Sequence, residues 1–332
     1  MSKSGTSSTA ISPPAGTGMA AGMGESFSLD LNSGQGNFTV PFELPEGVAG
    51  FKPALKLEYT HGNGNGAYGL GWRVAMRQIE RRLDFGTPGE GANEVFLDGG
   101  VELRRTGAGD FRTVREAAFS RYLRQGEHWE IVEQDGKRAF FGRTAAARVA
   151  DPGHPEGVQT WLLEGEEDVN GNRIDYEYSN VDGYPYLVAV RYARFVVRLT
   201  YGPRPDVVIN GRSGFVRSIT RRCNEMSLHL ADDDRRVRSL SFTYTQAPLS
   251  NLSLLTALQL TAHGDGQAGG QSDVVKNPLT FGYSGFESGN LEVRWVEAEP
   301  GMPEPPPMSD REAAASAGHP GQSQRTPHLL AQ

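Results

Sequence analysis

Residues 59–72 read Y-T-H-G-N-G-N-G-A-Y-G-L-G-W, with glycine at 62, 64, 66, 69 and 71. On the amino-terminal side, Leu55, Leu57 and Tyr59 alternate with Lys56, Glu58 and Thr60. On the other side, Val74 and Met76 alternate with Arg73, Ala75 and Arg77. Period two is the pattern of a half-buried strand, so the glycines join two strands. Glycine reaches positive φ without a Cβ clash, and the spacing predicts a left-handed backbone at two or more of these positions. Gly64, Gly66 and Gly69 also spell G-x-G-x-x-G. A dinucleotide fingerprint must open a helix, and no helical period follows, so no cofactor is assigned.

The same alternation runs through the chain. Phe38, Val40, Phe42 and Leu44 share a face, and Pro41 marks an edge strand or a strand end, because it cannot donate to a ladder. Short strands are predicted at Glu94–Asp98, Val101–Thr106, Tyr122–Gln125, Trp129–Glu133 and Arg138–Phe141, separated by turn-forming D-G-G, G-A-G-D, Q-G-E and Q-D-G-K. Asn170-Gly171 predicts a hairpin, and Asp182-Gly183 a second turn. Further strands are predicted at Leu187–Tyr192, Phe195–Tyr201, Phe215–Leu230, Val237–Thr245, Leu254–Thr261 and Leu279–Tyr283, with a last one near 291–296. Beyond a short helical turn near Glu116–Phe119, no stretch over about ten residues keeps a 3.6 period. The fold class is therefore all-β, a large and mostly antiparallel assembly of hairpins and meanders.

The run V-P-F-E-L-P-E-G-V-A-G-F-K-P-A-L-K-L-E-Y (Val40–Tyr59) into G-N-G-A-Y-G-L-G-W resembles the amino-terminal module of the SpvB/TcdB family, the Salmonella virulence plasmid B proteins and the B components of insecticidal toxin complexes. I-E-R-R-L-D-F-G-T-P (Ile79–Pro88), W-L-L-E-G-E-E-D-V-N-G-N-R-I-D-Y-E-Y (Trp161–Tyr178), G-F-V-R-S-I-T-R-R-C (Gly214–Cys223) and P-L-T-F-G-Y (Pro278–Tyr283) resemble later landmarks. Leu83 and Gly89 depart from the pattern. The resemblance implies an Rhs-shell-like module at residues 25–296. It implies downstream shell and toxin modules as partners, a translocating toxin component, and action outside the producing cell. Residues 1–24 are small and polar and read as a disordered leader. Residues 297–332 read as a Pro-rich disordered tail, expected to be a truncated or frameshifted end.

A formal net charge of −7 argues against a nucleic-acid partner, and mixed charges at Arg221-Arg222 and Asp232–Arg236 read as solvated hairpin. The first residues lack the apolar core of a signal peptide, so the chain is expected to be made in the cytoplasm. No apolar run reaches the roughly 18 residues of a membrane helix, and no membrane insertion is expected. Cys223 is the single cysteine, which excludes an internal disulfide, and its strand pattern predicts a small buried side chain.

The resemblance also raises ADP-ribosyl transfer, which needs an S-T-S strand and an E-x-E loop. E-x-E occurs at Glu164–Glu166 and Glu297–Glu299, but S-T-S does not occur. Asp168, Asn170 and Asn172 resemble half a calcium loop, yet Arg173 and Ser179 occupy the positions that need glycine and glutamate. The histidines, among them His61, His128, His154, His229 and His263, lack ligand spacing. Trp72 and Trp161 read as core anchors. The sequence thus assigns no catalytic, cofactor-binding or metal residue. The expected role is a non-enzymatic structural module of a toxin. The alternative is a glycan- or receptor-binding β module, which exposed coplanar tryptophans would support.

Overall fold

Alternating apolar residues in the first third build a small sheet from β1 (Ser26–Leu29), β2 (Gly36–Pro41) and β3 (Lys56–Thr60). The glycine segment then forms a short hairpin, β4 (Asn65–Gly66) with β5 (Gly69–Leu70). It leads into β6 (Trp72–Val74), which pairs with β3. β2 lies between β1 and β3 and ends at Pro41, where a residue without an N–H costs no ladder bond. The structure, a computed structural model, describes residues 23–29, 34–84, 94–115, 119–264 and 272–284. Most of the expected leader, the tail and the strand near 291–296 lie outside the described residues. So does the expected turn at Glu116–Phe119, apart from Phe119.

Seven short strands follow: β7 (Gln78–Arg81), β8 (Phe96–Asp98), β9 (Val101–Gly107), β10 (Asp110–Thr113), β11 (Arg121–Gln125), β12 (His128–Val132) and β13 (Arg138–Phe141). Next come β14 (Arg148–Asp151) and the long β15 (His154–Glu167). Each of β7 to β13 pairs with the next, β13 pairs with β15, and β15 returns to β7. These eight strands, β7 to β13 plus β15, make a closed ring. Closure removes the free edges that short strands would otherwise expose. Aromatic side chains fill it: Phe96 lies 4.9 Å from Trp129 and 5.7 Å from Trp161, ring centre to ring centre. Arg81 and Arg124 lie over these rings and share the Glu94 carboxylate, each at 3.2 Å.

β15 is common to the ring and to a wall. Thr160–Leu162 pair with β7, and three residues further on Gly165–Glu167 pair on that same side with β16 (Arg173–Val181). From there the chain meanders through β17 (Tyr184–Tyr192), β18 (Phe195–Asn210), β19 (Arg217–Leu230), β20 (Arg236–Gln246) and β21 (Ser253–Ala262). Two short strands, β22 (Val274–Val275) and β23 (Leu279–Thr280), pair with β21. Every pairing among the described strands is antiparallel. Asp182 and Gly183 both have positive φ, 52° and 76°, as a tight two-residue hairpin turn requires.

The strand predicted to stop at Tyr201 continues to Asn210, through Pro203 and Pro205. The register between β18 and β19 shifts between Pro203 and Val208. Residues 204–207 therefore owe no ladder bonds to β19, and Pro205 forfeits nothing. The small sheet is fastened to the wall by Trp72, whose indole Nε1 donates to the Tyr283 hydroxyl at 3.0 Å. Tyr283 in turn donates to the Leu255 carbonyl at 2.8 Å. Trp72 also packs on Phe281, Tyr59 and Phe38.

Candidate functional site: the glycine-loop seam and its cleft

Gly64, Gly69 and Gly71 have φ of +68°, +87° and +80°. At Gly69 a Cβ would stand 2.8 Å from the Ser253 carbonyl oxygen, and at Gly71 it would stand 2.4 Å from the Tyr59 ring. Two of the glycines thus serve both conformation and close approach, while Gly64 has open space around it. No helix follows Gly69; β6 does.

The shifted register of β18 supplies the loop's anchor. Arg204 donates to the Gly66 carbonyl at 2.9 Å and to Asn65 Oδ1 at 2.7 Å. It also forks onto Asp206, from Nε to Oδ1 at 3.1 Å and from Nη2 to Oδ2 at 2.9 Å. Asn65 Nδ2 and the Ser253 backbone N–H donate to Asp206 Oδ2 at 2.9 and 2.7 Å, and the Ser253 hydroxyl donates to Oδ1 at 2.5 Å. Burial alone would raise the Asp206 carboxyl, but the hydrogen bonds from Arg204, Ser253 and Asn65 outweigh it and hold it well below the usual carboxylate range. Nearby, Cys223 is fully buried, its N–H donates to the Ala67 carbonyl at 2.8 Å, and burial pushes its thiol up.

Where ring, loop and wall meet, a cleft of about 620 Å³ opens, with Tyr68, Gln159, Tyr184, Tyr186, Tyr201 and Arg217 on its walls. Tyr184, Tyr186 and Tyr201 stack edge to face, with centres 4.7 and 4.9 Å apart. The Tyr186 hydroxyl accepts from the N–H groups of Thr220 and Arg221, and Tyr201 donates to the Leu187 carbonyl. Arg77 bridges Asp98 at 2.9 Å and Glu133 at 2.7 Å, and Tyr122 donates to the same Asp98 carboxylate.

The residues weighed on sequence grounds are dispersed. Glu164 accepts from the Thr144 N–H at 2.9 Å, and Glu166 accepts from the Tyr176 hydroxyl at 2.6 Å, both on strand β15. Glu297 and Glu299 lie outside the described residues. Asp168 accepts from the N–H groups of Asn170 and Asn172 and from the Asn172 side chain, so its oxygens are turned inward on the hairpin. His263 stands 2.8 Å from the Ser239 hydroxyl and 2.9 Å from Asp273, a relay geometry. Ser239 is only 3% exposed and does not line the cleft, so the trio reads as a clasp between β20 and the segment before β22. Trp72, Trp129 and Trp161 are all buried. Sequence reasoning missed Arg204, Asp206, Ser253 and Arg217. The only signal was a charged pair flanking Pro205, and charge pairs around proline are common on exposed turns.

A closed ring thus shares one strand with a long meandering wall, and a buried ion pair fastens the glycine loop to that wall. The sequence profile of the Salmonella virulence plasmid 65kDa B protein, SpvB, matches residues 30–110 and 108–189, so this stretch of the chain is SpvB-like in sequence. The mono(ADP-ribosyl)transferase SpvB of Salmonella typhimurium is 28% identical over 191 residues, which cover 48% of this chain and 32% of that protein. The SpvB of Salmonella choleraesuis is 27% identical with the same coverage. The chain thus spans about a third of the length of these curated relatives. Among solved structures, the TcdB2-TccC3 crystal structure matches with a TM-score of 0.70 at 23% identity, covering 85% of this chain and 18% of that one. The Photorhabdus luminescens Tc holotoxin pore gives 0.70 at 22%, covering 84% and 17%. The N-terminal domain of the effector SpvB from Salmonella typhimurium gives 0.60 at 23%, covering 68% of this chain and 98% of that domain. These likenesses show the fold.

Proposed function

We propose that this chain is a non-enzymatic structural module of a toxin or virulence protein, a stretch of β wall that carries other modules. The observation that carries the reading is the shared strand β15, which welds a closed ring to an extendable meander. A wall must satisfy its backbone within the sheet and needs no reactive group, and the Arg204–Asp206 and Arg77–Asp98–Glu133 clusters hold elements together. The match to the N-terminal domain of SpvB supports the same reading, because that domain is a part of the effector by itself. Its partners would be shell and toxin modules of the same or another chain, with action outside the producing cell. Residues 25–296 would be the module, between a leader at 1–24 and a tail at 297–332.

The test has two arms. The purified chain is incubated with labelled NAD and candidate protein acceptors, and no transfer is expected. Transfer abolished by Glu166→Gln would overturn the non-enzymatic reading. The chain is also co-expressed with a separate shell segment of a toxin-complex B component, and co-purification is expected. Failure to associate with any such segment would count against the scaffold role.

A further inference from the structure

The cleft at the junction of ring, loop and wall contains a cation without a counter-charge. Arg217, at the start of β19, forms no ion pair among the described residues, and its buried Nε has no hydrogen-bond partner. Asp182, on the same hairpin, accepts from the Thr220 hydroxyl at 2.9 Å and forms no ion pair with Arg217. Gly183 leaves room for the arginine stem, since a Cβ there would approach Arg217 Cγ to 3.3 Å. Removing a guanidinium from water without a partner is costly, and such a cost persists where a ligand repays it.

We propose that this cleft binds a carboxylated sugar, with Arg217 forked onto the carboxylate. Three features select that class. A guanidinium matches a carboxylate in two parallel hydrogen bonds. Arg217 is alone, because Arg77 is spent on Asp98 and Glu133 and Arg73 pairs with Glu58, while Glu80 and Asp98 line the same cleft. One unpaired cation balances one negative charge, so the cleft suits a monoanion and leaves a dianionic phosphate half-compensated. The remaining wall combines tyrosine rings with neutral hydrogen-bonding groups. The Tyr184 hydroxyl has no hydrogen-bond partner among the described residues, and Gln159 uses Oε1 for the Ser213 hydroxyl, leaving its amide N–H groups to face a ligand. Rings and fixed polar groups together are what a polyhydroxylated ring needs, and about 620 Å³ is the size of a small-ligand site. Where it crosses the cleft, β15 is paired on both sides by β14 and β7, so it offers no ladder to an extended peptide.

Titration calorimetry on the full chain tests this with four probes: 3′-sialyllactose, lactose, a glucuronic-acid disaccharide and an acidic pentapeptide. Binding of either carboxylated sugar with little or none of lactose supports the proposal, and the two acids distinguish a sialyl from a uronyl ligand. Arg217→Met should weaken that binding about tenfold or more, the scale of losing charged hydrogen bonds. Tyr184→Phe, which removes one oxygen, should weaken it several-fold with an unchanged melting temperature. It serves as the reading variant if Arg217→Met does not fold. Equal binding of lactose, tighter binding of the peptide, no binding of either acid at millimolar concentration, or unaltered affinity in both variants overturns it.

Discussion

Arg204 and Asp206 sit two residues apart on β18 and still face each other at 2.9 Å, with side chains 0% and 6% exposed. Residues i and i+2 of a strand share a face, which puts both side chains on the same side of the wall. The register shifts between Pro203 and Val208, and the Gly66 carbonyl, Asn65 and Ser253 complete the cage. One irregularity in the wall thereby positions the glycine loop.

Asp206→Asn should destabilise the protein by about 3–5 kcal/mol, because it leaves Arg204 buried without its counter-ion. Urea denaturation at pH 7 measures this. The folded carboxyl is held below its unfolded value, so its contribution is present above the unfolded pKa of about 4 and is lost as pH falls further. The difference between wild type and Asp206→Asn should therefore be constant from pH 7 down to about pH 5 and shrink below pH 4.

Alanine at the loop glycines should follow the surroundings. Gly64→Ala meets no atom within 4 Å and should cost only the left-handed backbone, about 1–2 kcal/mol. Gly69→Ala also meets the Ser253 carbonyl, which is backbone and cannot swing away, and should cost clearly more. Gly71→Ala should fall between them, since the Tyr59 ring can turn only by disturbing Trp72. Thermal melts of the three variants check the order.

Trp72→Ala should cost on the order of 3–5 kcal/mol, as expected for a large core truncation. Trp72, Trp129 and Trp161 are at most 3% exposed. In a Trp295→Phe background, iodide should therefore leave the folded emission nearly unquenched and quench it strongly in urea.

Cys223 should not react with a disulfide reagent at pH 8 in the folded chain, because it is buried and its thiol is pushed up by desolvation. Its labelling rate should rise with denaturant in step with global unfolding, since it lies under the glycine loop in the main core. Rapid labelling without denaturant would show that the loop opens locally.

Much of this fold was legible in the chain itself. Alternation fixed nearly every strand of the wall, because a half-buried strand must write its two faces into the sequence. Asp168–Asn172 and Asp182-Gly183 announced their turns, because few residues tolerate that backbone. The glycines of the loop announced a left-handed path. They did not say what presses against them, since Ser253 is almost two hundred residues from Gly69. The return of β15 to β7, the buried Arg204–Asp206 fork and the unpaired Arg217 were decided only by tertiary structure. A sequence records local propensity and face, whereas ring closure, ion-pair burial and the fate of a lone charge depend on which distant residues arrive beside it.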